Sequence, residues 1–317
     1  MERKVLFGVF LLILPFGSFG AGLHELVKRG ADDDHNWGYE NNNGPESWPK
    51  RFKKCGGNRQ SPIHINTSTV DLNDDLNEFE FDNFEDNFED AEITNNGHTI
   101  KVQPNVNDAP RSFKEGGMDD EYQFQQLHFH WGSRDSQGSE HLFDKKAYPL
   151  EMHLVCRNKN YPTKEKAESR EDGFAVLAVL FKVVDEDNEA LEPIIEQLEH
   201  LKKKNSKEKV DPFNLKDLLP DETMPYYRYK GSLTTPPCLE VVTWTVFKDY
   251  AEISRRQLEQ FRQITEDDKG EAAEPLIDNF RPPQPIDNRV VEISGNSGST
   301  LIPSVLTAMF TALSFIL

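Results

Sequence analysis

Short stretches in which apolar and polar residues alternate, or in which β-branched and aromatic residues crowd together, recur through the middle of the chain. Segments 78–81, 99–103, 122–131, 150–157, 174–184 and 240–247 have this character, with turn residues between them, and each reads as a strand. Two segments carry a helical pattern, 191–204 and 254–264, the second opening on Ser254 as an N-cap. No Gly/Ser linker and no long repeat interrupts residues 32–293, so one domain is expected there. The mixture predicts an α+β, sheet-dominated fold with a large sheet and small helices at its periphery.

The two ends have a different pattern. Glu2, Arg3 and Lys4 precede an apolar run over 5–16 and then the small residues Gly17, Ser18, Gly20, Ala21 and Gly22. Basic, then apolar, then small is the order of a secretory signal peptide, assigned to 1–20 and succeeded by a leader over 21–31. At the other end, 301–317 carries no charge and is preceded by Ser294, Gly295, Asn296, Ser297, Gly298 and Ser299. Residues 294–317 therefore read as a glycolipid (GPI) anchor signal. A spanning helix, which wants about 20 apolar residues, and a cleaved soluble form are the alternatives.

Composition narrows the classes of function. With 36% hydrophobic residues in 317 the chain can build a real core, and a mean hydropathy of −0.68 excludes a multi-spanning membrane protein. The formal net charge of −19 argues against DNA or RNA, whose binding depends on Lys and Arg displacing counterions. The acids concentrate in 71–92, which reads as a solvated loop after an edge strand because their spacing is not that of a calcium loop. Asn66-Thr67-Ser68 is a glycosylation sequon. The 3 cysteines allow one bridge and one leftover thiol.

The informative chemistry lies in Gln126-Leu127-His128-Phe129-His130-Trp131. On a strand, Gln126, His128 and His130 share one face while Leu127, Phe129 and Trp131 share the other. The same rule puts Glu151, His153 and Val155 on one face of a second candidate strand. His-x-His alone reads equally well as a hydrogen-bonded pair; a matched Glu-x-His on another strand favours a metal. Three neutral imidazoles with a fourth position open are the ligand set of a catalytic zinc, whose water is acidified to a pKa of about 7. Gln126 and Glu151 stand where they could orient His128 and His153.

From Trp37 to Arg289 the chain resembles an α-class carbonic anhydrase. The resemblance rests, in order, on Trp37-Gly38-Tyr39, Arg59-Gln60-Ser61-Pro62-Ile63, Asn95-Asn96-Gly97-His98, His128-Phe129-His130-Trp131-Gly132-Ser133, Gly138-Ser139-Glu140-His141, Glu151-Met152-His153-Leu154-Val155 and Gly231-Ser232-Leu233-Thr234-Thr235-Pro236-Pro237-Cys238. It implies a central, twisted, mainly antiparallel sheet of about ten strands, and reversible hydration of CO2 to bicarbonate and a proton, with zinc-bound hydroxide attacking CO2. His128, His130 and His153 would hold Zn2+, with Asn279 joining Gln126 and Glu151 behind them. Thr234 would orient the hydroxide and donate its own hydrogen to Glu140, and Thr235 would line the same polar wall. Val155, Val176, Leu233, Val242 and Trp244 match the family's apolar CO2 pocket.

The resemblance makes His98 the proton shuttle, with Tyr39, Asn96 and Lys101 ordering the intervening water. Lys101 departs from the family, where a small polar residue is more usual. Its ammonium would disfavour the imidazolium and slow the relay. Cys55 and Cys238 match a disulfide of secreted and membrane-anchored members, which would clamp the Thr234-Thr235-Pro236-Pro237 loop outside the cell. Cys156, turned away from the zinc side by alternation, reads as a buried thiol. Partners on this reading are CO2/bicarbonate, the membrane through the lipid anchor, and in addition bicarbonate transporters or a mineral matrix. The competing functions are an extracellular binding or adhesion module, or an acidic mineral-matrix module, on the same fold.

Overall fold

The computed structural model describes residues 37–40, 42–105, 108–267, 269 and 272–295, nearly all of them in one compact unit that begins at Gly38. The signal peptide, the leader and the apolar tail beyond Gly295 lie outside the described residues. Among the described residues no helix is long and apolar enough to cross a membrane.

Ten strands lie side by side along one path. It runs from Lys207–Val210 through Ala91–Asn95, Ile100–Pro104, Tyr122–Trp131, Leu150–Asn158, Phe174–Val184, Val242–Phe247, Tyr226–Gly231 and Glu292–Ser294 to Asp71–Asn73. Phe79–Asp82, Ser112–Glu115 and Ala251–Ser254 pair off this path and bring the sheet to 13 strands. Most pairings are antiparallel; Phe174–Val184 runs parallel to Val242–Phe247 and to Ala251–Ser254, and Glu292–Ser294 to Asp71–Asn73. His64–Ile65 and Leu142–Phe143 form a separate small sheet.

Strands 122–131 and 174–184 have the bounds their patterns predict, and the other predicted strands shift by one or two residues at an end. Lys207–Val210 escapes a pattern search because it is a charged, exposed edge strand. Tyr226–Gly231 escapes because it is covered on both faces and carries the buried Arg228. The predicted helix over 191–204 is a shorter α-helix, Glu192–Leu198, between the 3-10 turns Glu189–Leu191 and Glu199–Leu201. Ser254 caps Arg255–Phe261 through a capping box with Gln257.

The sheet is apolar on both sides. Leu127, Phe129, Trp131, Leu154 and Cys156 belong to one buried layer, and Val176, Ala178, Val242 and Trp244 to the other. Burial pushes the Cys156 thiol pKa up, so it behaves as a packing group.

One irregularity decides which way the histidines point. Tyr122 and Phe124 face the same layer as Leu127 and Phe129, although strict alternation would put them on opposite sides. A register shift between Phe124 and Gln126 absorbs the mismatch and leaves Gln125 as the extra residue of a β-bulge. The lost ladder bond costs about 0.5–1.5 kcal/mol, whereas each of Leu127, Phe129 and Trp131 gains about 1.5–3 kcal/mol by burial. Packing wins, and His128 and His130 are turned away from that apolar layer.

Candidate metal centre

Register across the sheet builds the site in rows. Lys101, His128, His153 and Ala178 are successive partners on four adjacent strands, and His130 sits opposite Glu151. The next row holds Gln126, Val155, Val176 and Trp244. A polar row carrying imidazoles thus lies beside an apolar row, both on rigid strands.

Each histidine has one nitrogen tied to an oxygen. His128 Nδ1 lies 3.0 Å from Gln126 Oε1, His130 Nδ1 2.8 Å from the Asn279 carbonyl, and His153 Nε2 2.6 Å from Glu151 Oε1. Amide, carbonyl and carboxylate oxygens accept, so those ring nitrogens carry the hydrogens and donate. The lone pairs left over are on His128 Nε2, His130 Nε2 and His153 Nδ1. His153 Nδ1 and His128 Nε2 face each other at 3.4 Å with no hydrogen between them, and His130 Nε2 is buried without any hydrogen-bond partner. One ligand atom from each of the three residues falls within 4.8 Å of the others. Burial, reinforced for His128 by His130, His153 and Lys101, depresses the pKa values of His128 and His130 and keeps both rings neutral. Converging bare nitrogens on neutral rings fit a tetrahedral zinc with one position to spare.

His141, Glu151 and His153 also cluster within 4.8 Å, but that group has nothing left to give a metal. Glu151 Oε2 accepts the backbone N–H of Glu140 and of His141, and its Oε1 accepts from His141 and His153. His141 Nε2 is joined to the Tyr229 hydroxyl at 2.7 Å, and that hydroxyl to Ser61 Oγ at 2.9 Å. Burial would raise the Glu151 pKa, yet His141 and His153 outweigh it and hold the carboxyl well below its usual range.

Glu140, equally buried, is different. Its Oε1 accepts the Arg281 backbone N–H at 2.8 Å, and its Oε2 has no hydrogen-bond partner. The expected bond from the Thr234 hydroxyl to Glu140 is therefore not formed here. Glu140 Oε2 instead sits 3.6 Å from His130 Nε2 and 4.0 Å from His153 Nδ1, on the side where the bare nitrogens converge.

The loop carrying Thr234 is held at several points. Trp244 Nε1 donates to the Ser232 carbonyl, Leu233 N to Leu239 O, and the Ser61 and Ser232 backbones each donate to the other's hydroxyl oxygen. The Cys55–Cys238 disulfide closes its far end. Arg281, nearly fully buried, donates to the Cys55 carbonyl, to Gln60 Oε1 and to the Ser61 carbonyl, so one residue connects the disulfide region to Glu140.

A cavity of about 420 Å³ opens over the site, lined by His128, His153, Val155, Val176, Leu233, Thr234, Thr235 and Trp244 together with Lys101, Gln126, Arg157 and Lys164. Val242 is not among its lining residues, although it is buried in the same apolar layer as Val176 and Trp244. His98, Tyr39 and Asn96 do not line it either. Asn96 Oδ1 accepts the His98 and Thr99 backbone N–H groups and so shapes the turn, and Asn279 Nδ2 donates to the His98 carbonyl. Burial, then the Glu140 charge, against a weaker pull from Arg281, hold the Tyr39 phenol well above its ordinary pKa, so it stays neutral. Burial and the neighbouring Lys207 and Lys164 lower the Lys101 pKa, against Glu92.

Sequence patterns attach no role to His141, Tyr229 or Arg281. His141 directly succeeds Glu140 and Arg281 lies two residues beyond Asn279, which is a usable signal; Tyr229 offers none.

Comparison with known proteins agrees with this arrangement. The eukaryotic-type carbonic anhydrase family matches residues 43–295. Carbonic anhydrase 7 of Mus musculus is 39% identical over 261 residues, which is 82% of this chain and 97% of that protein. A family match of that extent, over residues that include every histidine of the centre, makes this chain a member of the eukaryotic-type, α-class carbonic anhydrases and an enzyme of that activity.

Proposed function

We propose that the protein is a zinc-dependent enzyme that hydrates CO2 reversibly outside the cell. The observation that carries the reading is the set of lone pairs on His128 Nε2, His130 Nε2 and His153 Nδ1, the second of them buried and otherwise unpartnered. Bound there, zinc would supply a water acidified to a pKa of about 7. Gln126, Glu151 and the Asn279 carbonyl hold the rings in the required tautomers. Val155, Val176, Leu233 and Trp244 exclude water and leave CO2 an apolar wall to lie against. Thr234 would accept a hydrogen bond from the attacking oxygen and donate its own hydroxyl hydrogen bond to Glu140 Oε2, which has no other partner, so that the oxygen is oriented without a proton moving to the carboxylate. His98 takes the proton released by the reaction and gives it to buffer, and the Asn279 bond to its carbonyl couples that turn to the His130 ring.

The disulfide supports an oxidising compartment, consistent with a cleaved signal peptide over 1–20, a single domain over 32–293 and a lipid anchor signal over 294–317. Asn66 is exposed in a turn whose Ser68 hydroxyl donates to its Oδ1, open to glycosylation. Purified protein should contain about one zinc per chain and hydrate CO2, and His128→Ala should lose both together. Full activity in rigorously metal-free protein would overturn the reading. Phosphatidylinositol-specific phospholipase should release active enzyme from intact cells, and retention after effective lipid cleavage would remove the anchor.

A further inference from the structure

The lining of the catalytic cavity runs against the charge of the chain. Its charged residues are Lys101, Arg157, Lys164 and Glu168, three cations to one carboxylate, in a protein of net charge −19. That carboxylate is already engaged, because Glu168 Oε1 lies 3.4 Å from Lys164 Nζ. The fully buried Glu140 and Glu151 do not line the cavity.

Register gives the three cations different ranks. Lys101 is the cross-strand partner of His128, so their Cα atoms are about 5 Å apart and their side chains share a face. Arg157 stands four residues beyond His153 on its strand, about 13 Å along it. Outward from Lys101 the same row continues through Thr94 to Lys207, which is paired with Glu92 at 2.8 Å. Glu92 is thus shared, and it only partly offsets burial, Lys207 and Lys164, which lower the Lys101 pKa. Among the described residues Lys101 itself is half-buried and has no ion pair with a carboxylate. An ammonium in that position acts on whatever anion enters the cavity, through surroundings that screen charge less than bulk water does.

We propose that Lys101 is a specificity-determining residue for the anionic substrate: it strengthens the binding of bicarbonate at the metal centre relative to neutral ligands. Arg157 and Lys164 extend the same positive field along the cavity. CO2 carries no net charge and gains little from Lys101, whereas bicarbonate carries a full one. This role rests on the CO2 and bicarbonate reading given above and adds to it the residue that tells the two substrates apart.

The test uses the purified protein loaded with cobalt(II) in place of zinc, whose visible absorption reports ligands reaching the metal centre without turnover. Bicarbonate is titrated into wild type, Lys101→Gln and Lys101→Arg, with imidazole, at a pH where it is uncharged, as the neutral ligand. Lys101→Gln should weaken bicarbonate binding about three- to tenfold and leave imidazole within about twofold. Lys101→Arg keeps the charge and should retain bicarbonate affinity within about twofold, and Arg157→Gln should lose less than Lys101→Gln because it acts from farther away. Unchanged bicarbonate affinity in Lys101→Gln, an equal loss for bicarbonate and imidazole, or a loss in Lys101→Arg as large as in Lys101→Gln overturns the role of Lys101 and leaves the hydration reading standing. Failure of the wild-type protein to take up cobalt, with no visible band, overturns both.

Discussion

Glu140 and Glu151 are both fully buried, lie eleven residues apart, and use their oxygens in opposite ways. Glu151 accepts four hydrogen bonds and serves two imidazoles and two backbone amides, so every acceptor it offers is spent on holding structure. Glu140 is pinned by one backbone amide and keeps an oxygen bare toward the histidine centre. Burying a bare carboxylate oxygen costs free energy that folding alone gives no reason to expend. The difference teaches where to look for chemistry: a saturated carboxylate positions its neighbours, whereas an unsaturated one at the same depth is available to a reacting group.

The strongest way to break this contrast is Glu151→Ala. It strands two imidazole N–H groups and two backbone amides in a dry site, and urea unfolding should show a loss of about 3–5 kcal/mol, with zinc affinity down about ten- to a hundredfold. A midpoint equal to wild type would mean that the four bonds are not what stabilises the site.

Replacing both Cys55 and Cys238 by Ser should cost about 2–5 kcal/mol in the same assay. It should also loosen the loop that carries Thr234, so activity should fall even under conditions where the variant remains folded. Full activity in the folded variant would show that the loop is held sufficiently by Ser61, Trp244 and Leu239.

Glu140→Gln sharpens the contrast from the other side. Stability should change by no more than about 1 kcal/mol, because the Arg281 amide keeps an acceptor, while turnover drops about ten- to a hundredfold. Thr234→Ala should lose a similar factor, and the double variant little more, if the two residues act as a unit. Additive losses would separate them.

The smallest effect is expected at His98. His98→Ala should slow turnover several-fold in dilute buffer, with recovery on adding imidazole, while CO2/bicarbonate exchange at chemical equilibrium is spared. Equal loss of both rates would remove His98 from the relay.

Much of the site was legible because strand alternation is a local rule. Gln126, His128 and Glu151, His153 needed only side-chain period two, and Tyr122–Trp131 and Phe174–Val184 needed only their own residues. Val242 was harder: alternation puts it on the same face as Trp244, but only packing shows that it is buried in that layer without lining the cavity. Asn96 Oδ1 accepts two backbone N–H groups of its own turn, a structural task that its place in the motif does not announce. Tyr229 could not be found from spacing, since its partner His141 is 88 residues away in the chain.

The sequence alone determined the chemical inventory: three imidazoles on two strands, a carboxylate or amide two residues before two of them, an apolar partner face, and cysteines that could bridge. Tertiary structure decided what those groups present. The bulge at Gln125 selects the face on which His128 and His130 emerge, because burying Leu127, Phe129 and Trp131 outweighs one lost ladder bond. The Asn279 carbonyl, 149 residues from His130, sets which nitrogen of that ring is bare. A lone pair's direction depends on the acceptor behind the ring, and acceptors distant in sequence are brought there only by the fold.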